Sequence, residues 1–331
     1  MLGISISLGK KLVSDTNFPD NNAGSTAGGT MAIRNEYPAT VGGMIDWCAH
    51  ELELGGVYYG HGTDNAVDEA ASLVFGVAGL DHAAAVDDPQ AIYAGTLTSK
   101  VSAEIEALLR RRIDTCTPLP YLLREAWFAG LPFYVDERVL VPRSPFAELI
   151  AARFEPWLDP MAVGRILEIG TGSGCIAIAL AQAFPGSQVV AADLMASALE
   201  VAKINVERHA MTDRVELVES DLFEQIDGTF DLIVSNPPYV PESEATEWPR
   251  EYSHEPGIAL TSGADGLDSS RRILQDAARY LTASGMLALE VGAGAAVLDA
   301  AFPRLSFIWP EFEFGGEGIA LVSAIDLQTS L

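Results

Sequence analysis

Apolar and polar positions along the chain fall into three regimes. From Val41 to Leu54, Met44, Ile45, Trp47, Cys48 and Leu52 recur at roughly helical spacing. "TDNAVDEAASLVFGVAGL" opens with a cap signal at Thr63 and Asp64 and an acidic first turn. "SAEIEALLRRRI" runs from acidic to basic, as a helix dipole favours. Residues 37–125 are therefore expected to form a small helical domain. It follows a Gly-rich, polar stretch, residues 1–36, whose lack of periodicity predicts a disordered tail. Residues 126–150, "AWFAGLPFYVDERVLVPRSPFAELI", alternate around Gly130 and Asp136-Glu137, the pattern of a hairpin connector.

From Gly164 the pattern switches between strand and helix periods. Strands are expected at 165–169, 188–193, 215–219, 230–235, 285–291, 306–312 and 318–323, and helices near 174–184, 196–209, 269–282 and 294–302. Such alternation implies an α/β domain over 151–331, with a mostly parallel seven-stranded sheet covered on both faces. The short "EFEFGGEGIAL" between the last two strands implies a closing antiparallel hairpin. Trp47, Trp127 and Phe128 are expected in cores, and His61 as a turn or packing residue.

Composition narrows the function classes. The chain has 331 residues and a formal charge of −26, with lysine only at Lys10, Lys11, Lys100 and Lys203. Nucleic-acid backbones are bound by displacing counterions with Lys and Arg, so a DNA partner is disfavoured and a basic protein partner is favoured. No apolar run approaches the ~18 residues of a membrane helix, and the N-terminus does not read as a signal peptide. Cys48, Cys116 and Cys175 lack paired spacing, which argues for a reducing compartment and against a zinc site. The cytoplasm is expected, with no membrane and no metal.

Candidate chemistry sits at two strand ends. "RILEIGTGSGCIAIAL" places Gly170, Thr171, Gly172, Ser173 and Gly174 between an apolar strand and an apolar helix. Glycines there let the backbone turn tightly and approach a ligand. The spacing is not the dinucleotide fingerprint, because Cys175 occupies its last glycine position. Asp193 ends the second strand, where an acid accepts ribose hydroxyls. Glu168 needs a donor or cation partner near a buried strand end, and Asp221 can accept from an exocyclic amine. A sugar, an amine and an amino-acid ammonium together describe S-adenosylmethionine better than NAD.

The second strand end reads "FDLIVSNPPYV". Proline cannot donate to a ladder, so the strand stops, and Asn236, Pro237, Pro238 and Tyr239 are held rigidly at its edge. These residues, with the glycine loop and Asp193, resemble the N-P-P-Y class I, Rossmann-like S-adenosylmethionine-dependent methyltransferases of the HemK/PrmC-like group. The resemblance implies methylation of a planar nitrogen. Asn236 and the Pro237 carbonyl would accept its N–H hydrogens, and Tyr239 would pack against the planar group. S-adenosyl-L-homocysteine would be the product.

The resemblance reaches beyond the motif. "YYGHGTDNAVDEA", the connector, "EYSHEPGIALTSGADGLDSSRRIL" and "FEFGGEGIAL" are similar to the ribosomal-protein branch, the PrmB type. It implies methylation of a glutamine amide in the third protein of the large ribosomal subunit, a basic partner met free or on an assembling particle. It further implies that 37–125 selects the substrate. Other readings are a release-factor glutamine methyltransferase, a DNA adenine methyltransferase, and a non-catalytic factor that clamps the ribosomal protein. Arg143, His254 and Glu255 are expected near the cleft with roles left open.

Overall fold

A computed structural model describes residues 37–330 apart from 82–84 and 86, so the tail expected over 1–36 lies outside the described residues. The chain divides into two compact units, one ending at Leu123 and the other starting at Arg124. Among the described residues, no helix is long and apolar enough to cross a membrane.

The first unit is helical: α1 (Val41–Gly55), α2 (Ala66–Ala78), α3 (Pro89–Ala94), α4 (Ser99–Thr115) and α5 (Leu119–Leu123). Its core joins Met44, Cys48 and Leu52 of α1 to Leu73 and Val74 of α2 and Ile105 and Leu109 of α4. Trp47 belongs to that core and His61 is buried. The cap of α2 lies one residue later than the Thr63-Asp64 signal: the Asn65 side chain accepts from the Asp68 amide at 2.9 Å. Thr63 is engaged elsewhere, donating to Glu69 Oε2 at 3.1 Å.

That carboxylate is half of a buried ion pair. Arg112 Nε donates to Glu69 Oε1 at 2.6 Å, and a second guanidinium nitrogen donates to the Tyr58 carbonyl at 2.7 Å. Arg112 is 1% exposed and Glu69 4%. The "YYGHGTDNAVDEA" segment is thus folded around a charge pair whose acid is its own Glu69 and whose cation, Arg112, is supplied from α4.

The second unit opens with a hairpin, β1 (Ala126–Phe128) and β2 (Leu131–Phe133), followed by an extended stretch and α6 (Phe146–Ala151). Phe128 is buried, but Trp127 is 45% exposed, contrary to expectation, because successive residues of this short strand face opposite sides. Then come β3 (Arg165–Ile169), α7 (Cys175–Ala183), β4 (Gln188–Asp193), α8 (Ala196–Arg208), β5 (Val215–Glu219), β6 (Phe230–Ser235), α9 (Asp268–Tyr280), β7 (Leu281–Glu290), α10 (Ala295–Ala301), β8 (Ile319–Ser323) and α11 (Ala324–Ser330).

The sheet order is β5-β4-β3-β6-β7-β8, parallel except for β8. Among the described residues it has six strands, not seven. Residues 306–312 contribute only an isolated bridge, Ile308 to Leu321, so the expected closing hairpin is absent and β8 pairs antiparallel with β7 instead. Pro303 precedes this stretch and Pro310 interrupts it, and proline withholds the N–H that a ladder needs.

Alternate strand residues feed two cores, as the pleat dictates. Ile166, Ala191, Leu232 and Val234 pack with the connector and α7, while Leu167, Val190, Ile233 and Leu287 pack with α9 and α11.

Removing one partner of the Arg112–Glu69 pair strands a buried charge, which costs about 3–5 kcal/mol. Arg112→Ala is expected to lower the stability of the helical unit by that amount in urea denaturation followed by circular dichroism. A loss under about 1 kcal/mol would mean that the pair behaves as an exposed one.

Candidate active site

Strand order turns at β3, whose neighbours are β4 on one side and β6 on the other. Chains leaving the carboxyl ends of β3 and β6 diverge there, which opens a crevice. The Ser235 hydroxyl donates to the Ile169 carbonyl at 2.8 Å, so the two strand ends are held level.

The glycine loop leaves β3 with φ of +76° at Gly170, +54° at Gly172 and +81° at Gly174, a region that side chains disfavour. The amides of Gly170 and Thr171 both donate to the Ala192 carbonyl, at 2.8 and 2.9 Å. Gly172 donates its amide to Asp193 Oδ2 at 2.8 Å, while Met195 donates to Oδ1 at 2.9 Å. Asp193 therefore ties the loop to the end of β4 and keeps further lone pairs for a ligand. Gly174 acts through packing. A Cβ there would meet the Ala202 Cβ at 3.3 Å, so its smallness lets α7 pack on α8.

A cavity of about 420 Å³ sits over these strand ends. It is lined by Glu168, Gly170, Thr171, Gly172, Ser173, Asp193, Asp221, Asn236, Pro237 and Pro238. Gly174 and Tyr239, both expected at the site, do not line it. Tyr239 stands behind the motif, its hydroxyl donating to Glu290 Oε1 at 3.2 Å.

Glu168 is 1% exposed. Burial pushes its carboxyl up to about 8, against hydrogen bonds from the Thr171 hydroxyl at 2.5 Å and the Ala177 amide. Burial raises Asp193 as well, against its three backbone donors. Two acids crowding one cavity suit a ligand that brings positive charge. Asp221 is paired with Arg272 at 3.0 Å, and both line the cavity. The Asn236 side chain and the Pro237 carbonyl find no hydrogen-bond partner among the described residues.

The connector and the segment after the motif complete the walls. Arg143 makes a two-pronged pair with Glu255, at 2.8 and 2.6 Å, and the Val141 amide donates to the same carboxylate at 3.0 Å. The Arg143 guanidinium lies 5.5 Å from the Tyr252 ring centroid. In α8, Asn205 donates to the carbonyls of Tyr134 and Ser173, at 2.9 and 2.8 Å, and accepts from the Tyr134 amide at 2.7 Å. One buried amide thus staples the connector to the glycine loop. Sequence reading missed Asn205, Arg272 and Glu290, since no local pattern marks a polar residue whose partner is far along the chain.

Residues 150–249 match the family model of the methyltransferase small domain. The ribosomal protein uL3 glutamine methyltransferase of Neisseria meningitidis serogroup B is 42% identical over 288 residues, 86% of this chain and 92% of the relative. Its counterpart from Francisella tularensis subsp. tularensis is 40% identical over 292 residues, 87% of this chain and 91% of the relative. The chain belongs to the uL3 glutamine methyltransferase family. Members of a methyltransferase family of this class take S-adenosylmethionine as cofactor, and the cavity fits it: a buried acid without a cation for the ammonium, an acid at a strand end for the ribose, and exposed Leu194 and Met195 beside it for a flat ring.

At neutral pH most of Glu168 is protonated before binding, given its raised pKa. An ammonium arriving beside it favours the ionised form, so binding expels a proton. Calorimetry in two buffers of different ionisation enthalpy is expected to show proton release for the wild type and none for Glu168→Gln. Affinity for the cofactor should fall by roughly 2–5 kcal/mol, the cost of truncating a buried charge pair. Equal proton release by both proteins would remove Glu168 from the ammonium site.

Proposed function

We propose that the chain transfers a methyl group from S-adenosylmethionine to the side-chain amide nitrogen of a glutamine in ribosomal protein uL3, the third protein of the large subunit. The observation that carries the chemistry is the pair of unpartnered acceptors, Asn236 and the Pro237 carbonyl, at the lip of a cavity whose floor is the glycine loop. The cofactor supplies a methyl group on a sulfonium, which needs no further activation.

The difficulty lies with the acceptor. An amide nitrogen is a poor nucleophile because its lone pair is delocalised into the carbonyl. Asn236 Oδ1 and the Pro237 carbonyl accept its two hydrogens, which orients the nitrogen and favours the positive charge that develops on it. Pro237 and Pro238 fix the backbone, so little ordering remains to be done in the transition state. No strong base is required, because the methylated nitrogen is acidic. In this reading Glu168 takes the ammonium, Asp193 the ribose, Asp221 the exocyclic amine while held by Arg272, and Gly170, Thr171, Gly172 and Ser173 the close backbone approach. Gly174 serves by placing α7, and Tyr239, which stands behind the motif, by supporting the Asn236–Pro237 acceptors.

The helical residues 37–125 choose the substrate, 126–150 connect, and 151–331 perform catalysis. An acidic enzyme suits a basic ribosomal protein in the cytoplasm, free or on an assembling particle, and suits neither DNA nor a membrane surface.

Transfer of labelled methyl to uL3 lacking prior modification, with the product mapped by mass, tests this reading. A single methyl on one glutamine is expected. Asn236→Ala should reduce kcat by about 10²–10³, as loss of one transition-state hydrogen bond does elsewhere, with cofactor affinity changed only a few-fold. Label entering only a release factor or an oligonucleotide would move the enzyme to another substrate. Cofactor binding with no transfer to any of these would favour a clamp.

A further inference from the structure

Glu290 ends β7 and is 2% exposed, yet nothing in the methyl-transfer scheme uses it. Its Oε1 accepts from the Tyr239 hydroxyl at 3.2 Å and its Oε2 from the Ser144 hydroxyl at 2.5 Å. Tyr239 closes the acceptor motif. Ser144 belongs to the connector and lines the cofactor cavity. One carboxylate therefore touches both halves of the reaction site.

The backbone around it is built for the same contact. Gly292, two residues on, has φ +51°, and a Cβ there would come within 2.8 Å of Tyr239 Cε2. Gly266, at φ +79°, is pressed against the Tyr239 carbonyl, which a Cβ would overlap. Gly318, at φ +77°, backs Gly292 so closely that a Cβ would overlap the Gly292 carbonyl, and its own carbonyl accepts from the Val291 amide at 2.7 Å. Tyr239 is boxed by glycine backbone on its ring and on its carbonyl, and Glu290 fixes its hydroxyl.

Packing alone does not account for an acid here. A buried carboxylate is costly, and an apolar residue of similar volume would fill the space without that penalty. Burial pushes Glu290 up to about 7, against the two hydroxyl donors and the nearby Arg143 charge. Burial with Glu290 alongside also raises the Tyr239 hydroxyl, which keeps it a neutral donor. What the ionised carboxylate provides is direction: it can receive two hydroxyls at once, one on each oxygen.

We propose that Glu290 is a positioning residue for methyl transfer, holding the Asn236–Pro237 acceptors in register through Tyr239 and locking that register to the cofactor wall through Ser144. It rests on the methyltransferase reading above and adds the residue that joins its two subsites. Glutamine at 290 can accept only on its one oxygen, so the hydroxyl facing its NH2 group has to turn from donor to acceptor and the direction of that contact reverses.

Glu290→Gln, Tyr239→Phe and the double variant test this with uL3 as acceptor. Glu290→Gln is expected to lower kcat roughly 10- to 100-fold, the scale of an ångström of misplacement, while KM for uL3 and the cofactor dissociation constant stay within about threefold of wild type. The double variant should be no worse than the poorer single, because both break one chain of contacts. Losses that multiply, or an unchanged kcat with only a lowered Tm, would overturn the proposal.

A second readout needs neither substrate nor turnover. In protein carrying meta-fluorotyrosine, the fluorine resonance of position 239 is identified by its loss in Tyr239→Phe. It should shift or broaden in Glu290→Gln, and in Ser144→Ala should Glu290→Gln not fold. An unmoved line would refute the coupling even if uL3 proved not to be the acceptor; a moved line with an inactive wild type would leave the coupling standing and sink only the substrate assignment.

Discussion

The pairing of β3 with β6 is the constraint on which the site depends. Ile169 lies in register with Ser235, and the Ser235 hydroxyl ties the two strand ends across that pair. Both the glycine loop and the acceptor motif are counted from this bond. The glycine loop begins one residue after Ile169, and the acceptor motif one residue after Ser235. A one-residue slip of β6 would turn its inward side chains to the opposite core and carry Asn236 off the lip of the cavity. The apolar side chains of β6, Leu232 and Val234 on one face and Ile233 on the other, oppose such a slip by their packing in both cores.

Buried and half-buried carboxylates around this pair do different work, and their partners tell them apart. Glu255 faces the Arg143 guanidinium and a backbone amide, which satisfies its charge inside the protein. Asp193 is held by backbone amides and fastens a loop. Glu290 meets two hydroxyls from separate segments. Glu168 meets one hydroxyl and one amide and no cation, and burial pushes it up to about 8. A charge left uncompensated by the protein is the one expected to meet a cationic ligand.

Local chemistry made much of the fold legible in the sequence. The boundaries of β3, β4, β5 and β6 follow from apolar runs punctuated by glycine, acid or proline, and each expected cofactor residue but Gly174 lines the cavity. The failures share a cause. Residues 306–312 carry strand-like apolar residues but only a bridge forms, since the edge position went to β8 through a register that no local window contains. Thr63 looked like a cap and instead serves the buried Glu69, a tertiary demand that moved the cap to Asn65. Glu290 and Asn205 pair across 146 and 71 residues of chain, to Ser144 and Tyr134, and Arg272 reaches back to Asp221 in the same way. Such pairs leave no periodic trace.

Two of the segments that resembled the family in sequence, those holding Gly266 and Gly318, now have a physical reason to do so. Gly266 lies in "GADGLD", Gly292 in "EVGAG" and Gly318 in "GGEGIAL", and all three are drawn to within contact distance of Tyr239 or of the backbone that supports it. None of them can carry a side chain at its positive φ without strain as well as overlap. A rigid acceptor site needs more than two prolines: the proline pair fixes φ within the motif, but only neighbours can fix where the motif stands. The glycines supply that by proximity, and Glu290 by direction. The short tetrad is therefore the visible part of a longer arrangement, one written into the sequence as isolated glycines and a single buried acid.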